Sequence, residues 1–447
     1  MAKVVVIGAG VSGLLSACYA AKSGHEVKVL SYGQGALTVA GGIIDLIGYD
    51  KDSNPVTDPL EYIATLKEPH PYALVGTERI EAALEAFKQL TSEQGYLYVG
   101  DAHHNHKVPT AIGSFKPSCL IPPSIDGKAI WERPKILVVG FTLLKDYYPK
   151  LITKNFEHYF GSTKTVSYKQ VELNWPTGRG YRDVSALDLA RDLETDLGRL
   201  NLITQLKRHC GPDTAVVIPP ILGEQPEMAA KIQRDLEREL NTKFVEVSSI
   251  PPSVTGLRLD LLLRRACRDL GVEVIDKAQA IGFVSAADDG GHIAKGKEAD
   301  ARKICKAVIT GGFGHTHQYA CDSVIVATGG FFSAGLVTSM GRMYEPIFGI
   351  EIKVPQDQKD WSHQSLFANS EQPFSTYGVA VNRHMQAVDE TGAVLFNNVQ
   401  FVGRTLQGYD FCFEKSGNGV AVTTAYHAVQ ELEHVLSTTH QVAATLF

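Results

Sequence analysis

Residues 2–30 read AKVVVIGAGVSGLLSACYAAKSGHEVKVL. Lys3 to Ile7 is a short run of mostly β-branched apolar residues, the composition of a buried strand. Gly8-Ala9-Gly10-Val11-Ser12-Gly13 follows at once. Val11, Leu14, Leu15, Cys18 and Ala21 then recur at helical spacing, Gly24 stops the helix, and a second strand runs from Glu26 to Leu30. Strand, glycine turn, helix and strand in this order form the dinucleotide-binding βαβ unit. Gly8 permits the tight turn, Gly10 lets backbone approach a phosphate, and Gly13 brings the helix close to the strand. Ser12 stands in the first helical turn, where free N–H groups and the positive dipole end face the phosphate.

An acidic residue normally follows the second strand of this unit and binds the adenosine ribose. Here the position holds Ser31; Glu26 lies at the wrong end of the strand, and no arginine takes the place of the acid. A serine hydroxyl meets a ribose once, without the two acceptor oxygens of a carboxylate. The phosphate is therefore better specified than the adenosine. Three readings stay open: an FAD site weakened at its adenosine end, a site for FMN alone, or FAD held by other contacts.

The chain has 447 residues, 44% hydrophobic, with a net charge of −6. That length predicts two intimately joined domains. Charges of both signs are spread along the chain and leave no electrostatic footprint for nucleic acid. No uninterrupted apolar run is long enough for a transmembrane helix, and no basic-then-apolar leader precedes the first strand, so no signal peptide is expected. Seven scattered cysteines without a CxxC spacing read as reduced thiols of a cytoplasmic protein and exclude an iron–sulfur cluster within the chain.

Further along, GQGALTVAGGIIDLIG (33–48) is rich in small residues, and Gly41 and Gly42 are expected beside a cofactor, since small side chains let backbone come close. Residues 60–92 look helical in two pieces around Pro69-His70-Pro71-Tyr72. ILVVGF (136–141) is a buried strand candidate, with a helix expected at about 143–155. TAVVIPPILG (214–223) is another strand, and 226–240 an amphipathic helix. Residues 244–275 read strand, proline turn, helix, Gly271 stop and strand. DSVIVATGGFF (322–332) is a buried strand entering a glycine turn, which places Thr328 and Gly329 beside the cofactor. Residues 392–402 look strand-like, and a helix follows at about 419–436, headed by Ser416-Gly417-Asn418-Gly419.

The fold class is thus α/β, a Rossmann-like FAD/NAD(P)-binding fold assembled from discontinuous segments. Its flavin-binding domain is expected from 1–50, 244–335 and 390–447. An inserted cap or substrate-side domain is expected at 51–243, too long for a loop, with 336–389 as a cap-side segment. Three glycine clusters in this order point to flavin. The last helix would aim its positive end at the pyrimidine edge of the ring, where reduced flavin carries negative charge. Gly403, Gly417, Asn418 and Gly419 are its expected contacts. Arg404 follows Gly403, where an acidic residue is usual.

On these pieces the chain resembles the B-subunit family of anaerobic glycerol-3-phosphate dehydrogenases, flavoproteins related to the flavin subunits of fumarate reductase and succinate dehydrogenase. The matching strings are GAGVSGLLSA, GQGALTVAGGIIDLIG, NPVTDPLEY, the HPY turn, IPPSVTGLRL (250–259), ATGGFFSAGL (327–336) and EPIFG (345–349). The resemblance implies oxidation of sn-glycerol 3-phosphate to dihydroxyacetone phosphate, with electrons passed to a quinone-linked chain toward fumarate or nitrate. It implies FMN as the flavin, with FAD the alternative. It also implies two partners. One is a larger, FAD-bearing A subunit, and the other an iron–sulfur C subunit that attaches the complex to the inner face of the cell membrane.

Oxidising a secondary alcohol needs a hydride acceptor, a base for the hydroxyl proton and cations for the phosphate. Arg258, in the proline-turn motif, and Lys116 and Ser118, in GSFKPS, are the anion-binding candidates. His70 and Glu345 are the candidate bases. His103-His104-Asn105-His106 lacks a completing carboxylate or cysteine and reads as a polar loop, so no metal site is expected. These groups form no complete acid–base set. That keeps two other readings open: a flavin-bearing protein of the complex that serves in electron relay or assembly, and a free-standing flavin oxidoreductase acting on another small acid.

Overall fold

Val4, Val5, Val6 and Ile7 are all buried, so the first strand, β1 (Lys3–Ile7), lies inside a sheet covered on both faces. The computed structural model describes residues 1–172, 183–248, 252–288, 298–312, 315–365 and 370–446. After β1 come α1 (Val11–Lys22), β2 (Glu26–Ser31), the short helix α2 (Pro71–Val75), β3 (Glu273–Asp276), β4 (Ser323–Val326), β5 (Arg342–Glu345), β6 (Val399–Phe401), α3 (Phe411–Glu414) and α4 (Gly417–Gln430). Five of these strands form one parallel sheet in the order β3-β2-β1-β4-β6. The chain leaves β1 through α1 to β2 on one side, while β4 and β6 lie on the other. The strand order therefore reverses between β1 and β4. Ligands of open α/β sheets bind at such a reversal, outside the carboxyl ends of the strands.

The chain divides into two compact units. The first is 1–35, 45–87 and 263–447; the second is 36–44 and 88–262. The second unit has its own parallel sheet, in the order Lys243–Glu246, Thr214–Ile218, Lys135–Phe141, Thr165–Val171. Its core includes Val138, Val217, Phe156 and Leu236, each fully or almost fully buried. These boundaries differ from the expected insertion at 51–243. Residues 45–87 pack with the first unit because the Tyr72 hydroxyl reaches Ser416 O (3.4 Å) and Gly419 N donates to Asp45 O (2.9 Å). Residues 36–44 join the second unit through Ser253 N to Thr38 O (2.8 Å) and Thr255 Oγ1 to Gly41 O (2.8 Å). The 336–389 segment, expected on the cap side, belongs to the first unit, where Val379 N donates to Thr405 O (2.7 Å).

Local elements differ from the sequence reading at three places. The helix expected at 143–155 is Pro149–Phe160, because Pro149 takes the first helical turn, where its missing N–H costs nothing. Between 60 and 92 there are three helices rather than two, Pro59–Ile63, Pro71–Val75 and Thr77–Glu93, with Gly76 at a positive φ of 80° separating the last two. The strand expected across 392–402 is only Val399–Phe401.

Candidate functional site

The glycine turn after β1 and the one after β4 meet at the strand-order reversal. Gly8 has φ +110°, and a Cβ there would collide with Ala327 O. A Cβ on Gly13 would collide with Gly8 O, so the α1 backbone rests on the turn. Gly10 is different: an added Cβ meets nothing within 4 Å. It N-caps α1 without a side-chain cap, and no acidic residue stands in the first turn. The start of α1 thus presents open space and a positive dipole end. Gly35, which the sequence reading passed over, completes this corner: a Cβ there would lie 2.9 Å from Gly10 Cα. The GQG string that follows β2 carried the signal.

Thr328 Oγ1, at the end of β4, is buried and makes no hydrogen bond among the described residues. A buried hydroxyl left unsatisfied is costly and points to a polar partner. Gly329, at φ +78°, is backed by Ser333, whose hydroxyl donates to Thr328 O (2.8 Å). Beyond β6, Gly403 is buried at φ +71° and lies against Ser12, whose hydroxyl a Cβ would strike. Its N–H donates to Thr424 Oγ1 (2.9 Å) on α4. The third glycine cluster is thereby brought to the first turn of α1. Gly417 and Gly419 open α4 and are buried, Asn418 is half-buried, and Ser416 supplies no side-chain cap. The Arg404 guanidinium carbon lies over the Phe411 ring, 3.8 Å from its centroid, near Gly417.

Two helix N-termini without side-chain caps, an open glycine corner and an unsatisfied threonine hydroxyl fit a ligand rich in acceptor oxygens, as a flavin nucleotide is. Ser31 is 1% exposed, and its hydroxyl donates to Gly33 O (2.9 Å). It shapes its own turn and has lone pairs left over for a further partner.

A family model described as FAD binding domain matches residues 3–420. The chain belongs to the FAD binding domain family. Its cofactor is accordingly a flavin, with FAD the cofactor of the family. A Vibrio cholerae protein named as the B subunit of anaerobic glycerol-3-phosphate dehydrogenase is 28% identical, over 98% of this chain and 98% of its own length. An Aliivibrio fischeri protein of the same name is 26% identical, over 96% of this chain and 94% of its own. Among solved structures, a 3-ketosteroid delta1-dehydrogenase from Sterolibacterium denitrificans is 11% identical with a TM-score of 0.43, covering 98% of this chain and all of that one.

Four of the expected substrate-side residues have other occupations. Arg258 is fully buried. It forms two hydrogen bonds to Glu246, 2.7 and 2.9 Å, and a third to Gly223 O at 2.7 Å. Burial opposes its charge, but Glu246 holds the guanidinium above its usual range. Its fork is spent on a structural pair inside the second unit. Ser118 is also fully buried and donates to Ile44 O (3.1 Å). Glu345, on β5, is enclosed and accepts from Ile347 N (3.1 Å) and Phe348 N (2.7 Å), closing its own turn. His70 N-caps α2: Nδ1 accepts from Tyr72 N (3.1 Å), so Nε2 carries the proton and faces Glu414 Oε2 at 3.3 Å. Neither ring nitrogen is left to act as a base.

Lys116 is half-buried on the strand Phe115–Ser118 of the second unit, opposite Val108. Gly41 and Gly42 belong to that unit too, and Tyr98 fastens Gly42 O (2.5 Å). In the first unit, a group the sequence reading missed gathers around His70. Glu414 and Ser416 flank it, with Asp410 capping α3 and the Tyr409 ring edge-on at 5.9 Å. The signal available was Glu414, three residues ahead of Gly417. Among the described residues no cluster of metal-ligating side chains occurs, and no helix is long and apolar enough to cross a membrane.

Proposed function

We propose that this chain is the flavin-dependent dehydrogenase component of a multi-subunit complex and oxidises sn-glycerol 3-phosphate to dihydroxyacetone phosphate. The observation that carries the reading is similarity, over nearly the full length of both chains, to proteins named as the B subunit of anaerobic glycerol-3-phosphate dehydrogenase. Bound flavin supplies the hydride acceptor that oxidation of a secondary alcohol requires. Gly10 and Ser12 would hold its phosphate at the start of α1, in the turn that Gly8 and Gly13 shape by close packing, and the Thr328 hydroxyl and the Gly329 backbone would border the path away from it. Gly403 keeps Ser12 and α4 together, and the start of α4 at Gly417 and Asn418 would turn its positive end toward the ring, with Gly419 spent on holding Asp45 O. Electrons pass to a quinone-linked chain through partner subunits, one FAD-bearing and one carrying iron–sulfur clusters, which also bring the chain to the membrane surface.

Purified protein is expected to be yellow, and its flavin to bleach anaerobically when sn-glycerol 3-phosphate is added. Flavin that stays oxidised in the isolated chain but bleaches in the assembled complex would favour the electron-relay reading. That reading draws support from Arg258 and Ser118, both withdrawn from phosphate binding by their buried bonds.

A further inference from the structure

We infer that Glu414 Oε1 accepts the hydroxyl proton of the alcohol substrate; this rests on the dehydrogenase reading above. Glu414 is 8% exposed. Its Oε2 accepts from Ser416 Oγ at 2.8 Å and faces the protonated His70 Nε2 at 3.3 Å. Its Oε1 accepts nothing among the described residues, although a carboxylate has about four lone-pair sites to fill. A buried carboxylate anchored through one oxygen and open at the other is the arrangement a proton acceptor needs. It stands three residues before Gly417, which opens α4, so it is at the ring end of the proposed flavin path. Its backbone carbonyl is fixed as well, accepting from Gly48 N (2.7 Å) and Tyr49 N (3.2 Å).

His70 is the holder rather than the base. Taking a proton at Nδ1 would break its bond to Tyr72 N and uncap α2. With Nε2–H toward Oε2, it keeps the Glu414 carboxyl oriented. The surroundings also set the direction of the substrate. Asp410 is buried, and the Glu371 carboxyl is pushed up first by burial and then by Glu414 and Asp410. The Gln372 N–H bonded to Asp410 Oδ2 (3.0 Å) ties that segment to α3. Tyr409 and Tyr62 also feel the Glu414 charge, and Arg404 is the cation that acts on Tyr409. So many carboxylates repel a phosphate dianion. The substrate therefore brings its uncharged hydroxyl carbon to this cluster and keeps its phosphate away from it. The O–H proton goes to Glu414 Oε1 and the C–H hydrogen leaves with its electron pair to the flavin, so the alcohol becomes a ketone.

The test is anaerobic flavin bleaching of the holoprotein with three alcohols: sn-glycerol 3-phosphate, glycerol and lactate. In Glu414→Gln the side-chain carbonyl keeps Ser416 and His70, while the amide NH₂ sits where Oε1 was and can only donate. Bleaching is expected to slow by about 10²–10⁴-fold, with flavin content and dihydroxyacetone phosphate binding, read from the flavin visible band, unchanged. In Glu414→Ala, added formate is expected to restore bleaching in proportion to its concentration. Wild-type rates in Glu414→Gln overturn the assignment. So does a slow Glu414→Ala that formate does not rescue, or a Glu414→Gln that no longer binds dihydroxyacetone phosphate, since either marks a structural role. If only another of the three alcohols bleaches the wild type, the substrate reading falls and Glu414 is judged on that alcohol. If none does, both fall.

Discussion

At the scale of single residues, the glycine turn separates two requirements that look alike in sequence. Gly13 and Gly10 both belong to one fingerprint, yet a Cβ on Gly13 collides with Gly8 O while one on Gly10 meets nothing within 4 Å. The first glycine serves the fold and the second serves a ligand. Gly13→Ala is therefore expected to lower the thermal midpoint of the flavin-free protein, and Gly10→Val to leave it unchanged while abolishing flavin retention. Circular dichroism melts and the flavin absorbance of purified protein check both. Retained flavin in Gly10→Val would mean that the phosphate lies elsewhere. The turn was legible because its geometry is local. Arg258 was not: its partner Glu246 comes from a different element, and nothing in a proline-turn motif announces a buried carboxylate across from it. His70 misled for a related reason, since a histidine before proline reads equally as a base or as a helix cap, and only the Tyr72 N–H decides.

At the scale of elements, β1, α1, β2, β4 and α4 stand close to where hydrophobic periodicity and glycine punctuation put them, because each is buried and its pattern is strong. The short strand β6 and the helix starting at Pro149 shifted, as expected where tertiary pairing, rather than local propensity, sets the ends. β5 carries a chemical consequence of that pairing. Its last residue, Glu345, is enclosed, and burial pushes its carboxyl up to about 7, against the two backbone N–H bonds that favour the anion. Its value in the unfolded chain is near 4.5. Between these values the folded state keeps a proton that the unfolded state has released, so stability falls as pH rises. The contribution is complete below about pH 4.5 and lost above about pH 7, on the order of 3 kcal/mol. Urea unfolding of wild type and Glu345→Gln at pH 5 and pH 8 is expected to show a larger loss in the wild type. Equal losses in the two proteins would refute the enclosed, protonated Glu345.

At the scale of the whole molecule, the broad reading of a Rossmann-like domain interrupted by a second α/β body was legible, but the points of division were not. Those depend on which loop fastens to which core, and Tyr72 and Thr255 make that choice through hydrogen bonds to Ser416 O and Gly41 O, in distant parts of the chain. The division also bears on how cofactor binding should be felt. The glycine corners, Thr328 and α4 all lie in the first unit, so flavin binding should stabilise that unit by mass action. At a free concentration about 100 times Kd the gain is roughly 2.7 kcal/mol, which for a unit of this size is about 5–10 °C in thermal midpoint. Scanning calorimetry of flavin-stripped protein with added FAD should show such a shift, and Gly10→Val should abolish it. The same experiment with FMN settles what Ser31 costs. A carboxylate at that position would reward the adenosine ribose, whereas Ser31 spends its proton on Gly33 O and has only lone pairs to offer. If other contacts hold the adenosine, FAD shifts the midpoint further than FMN at equal concentration. Equal shifts would mean that the binding energy resides in the phosphate corner and the ring end alone.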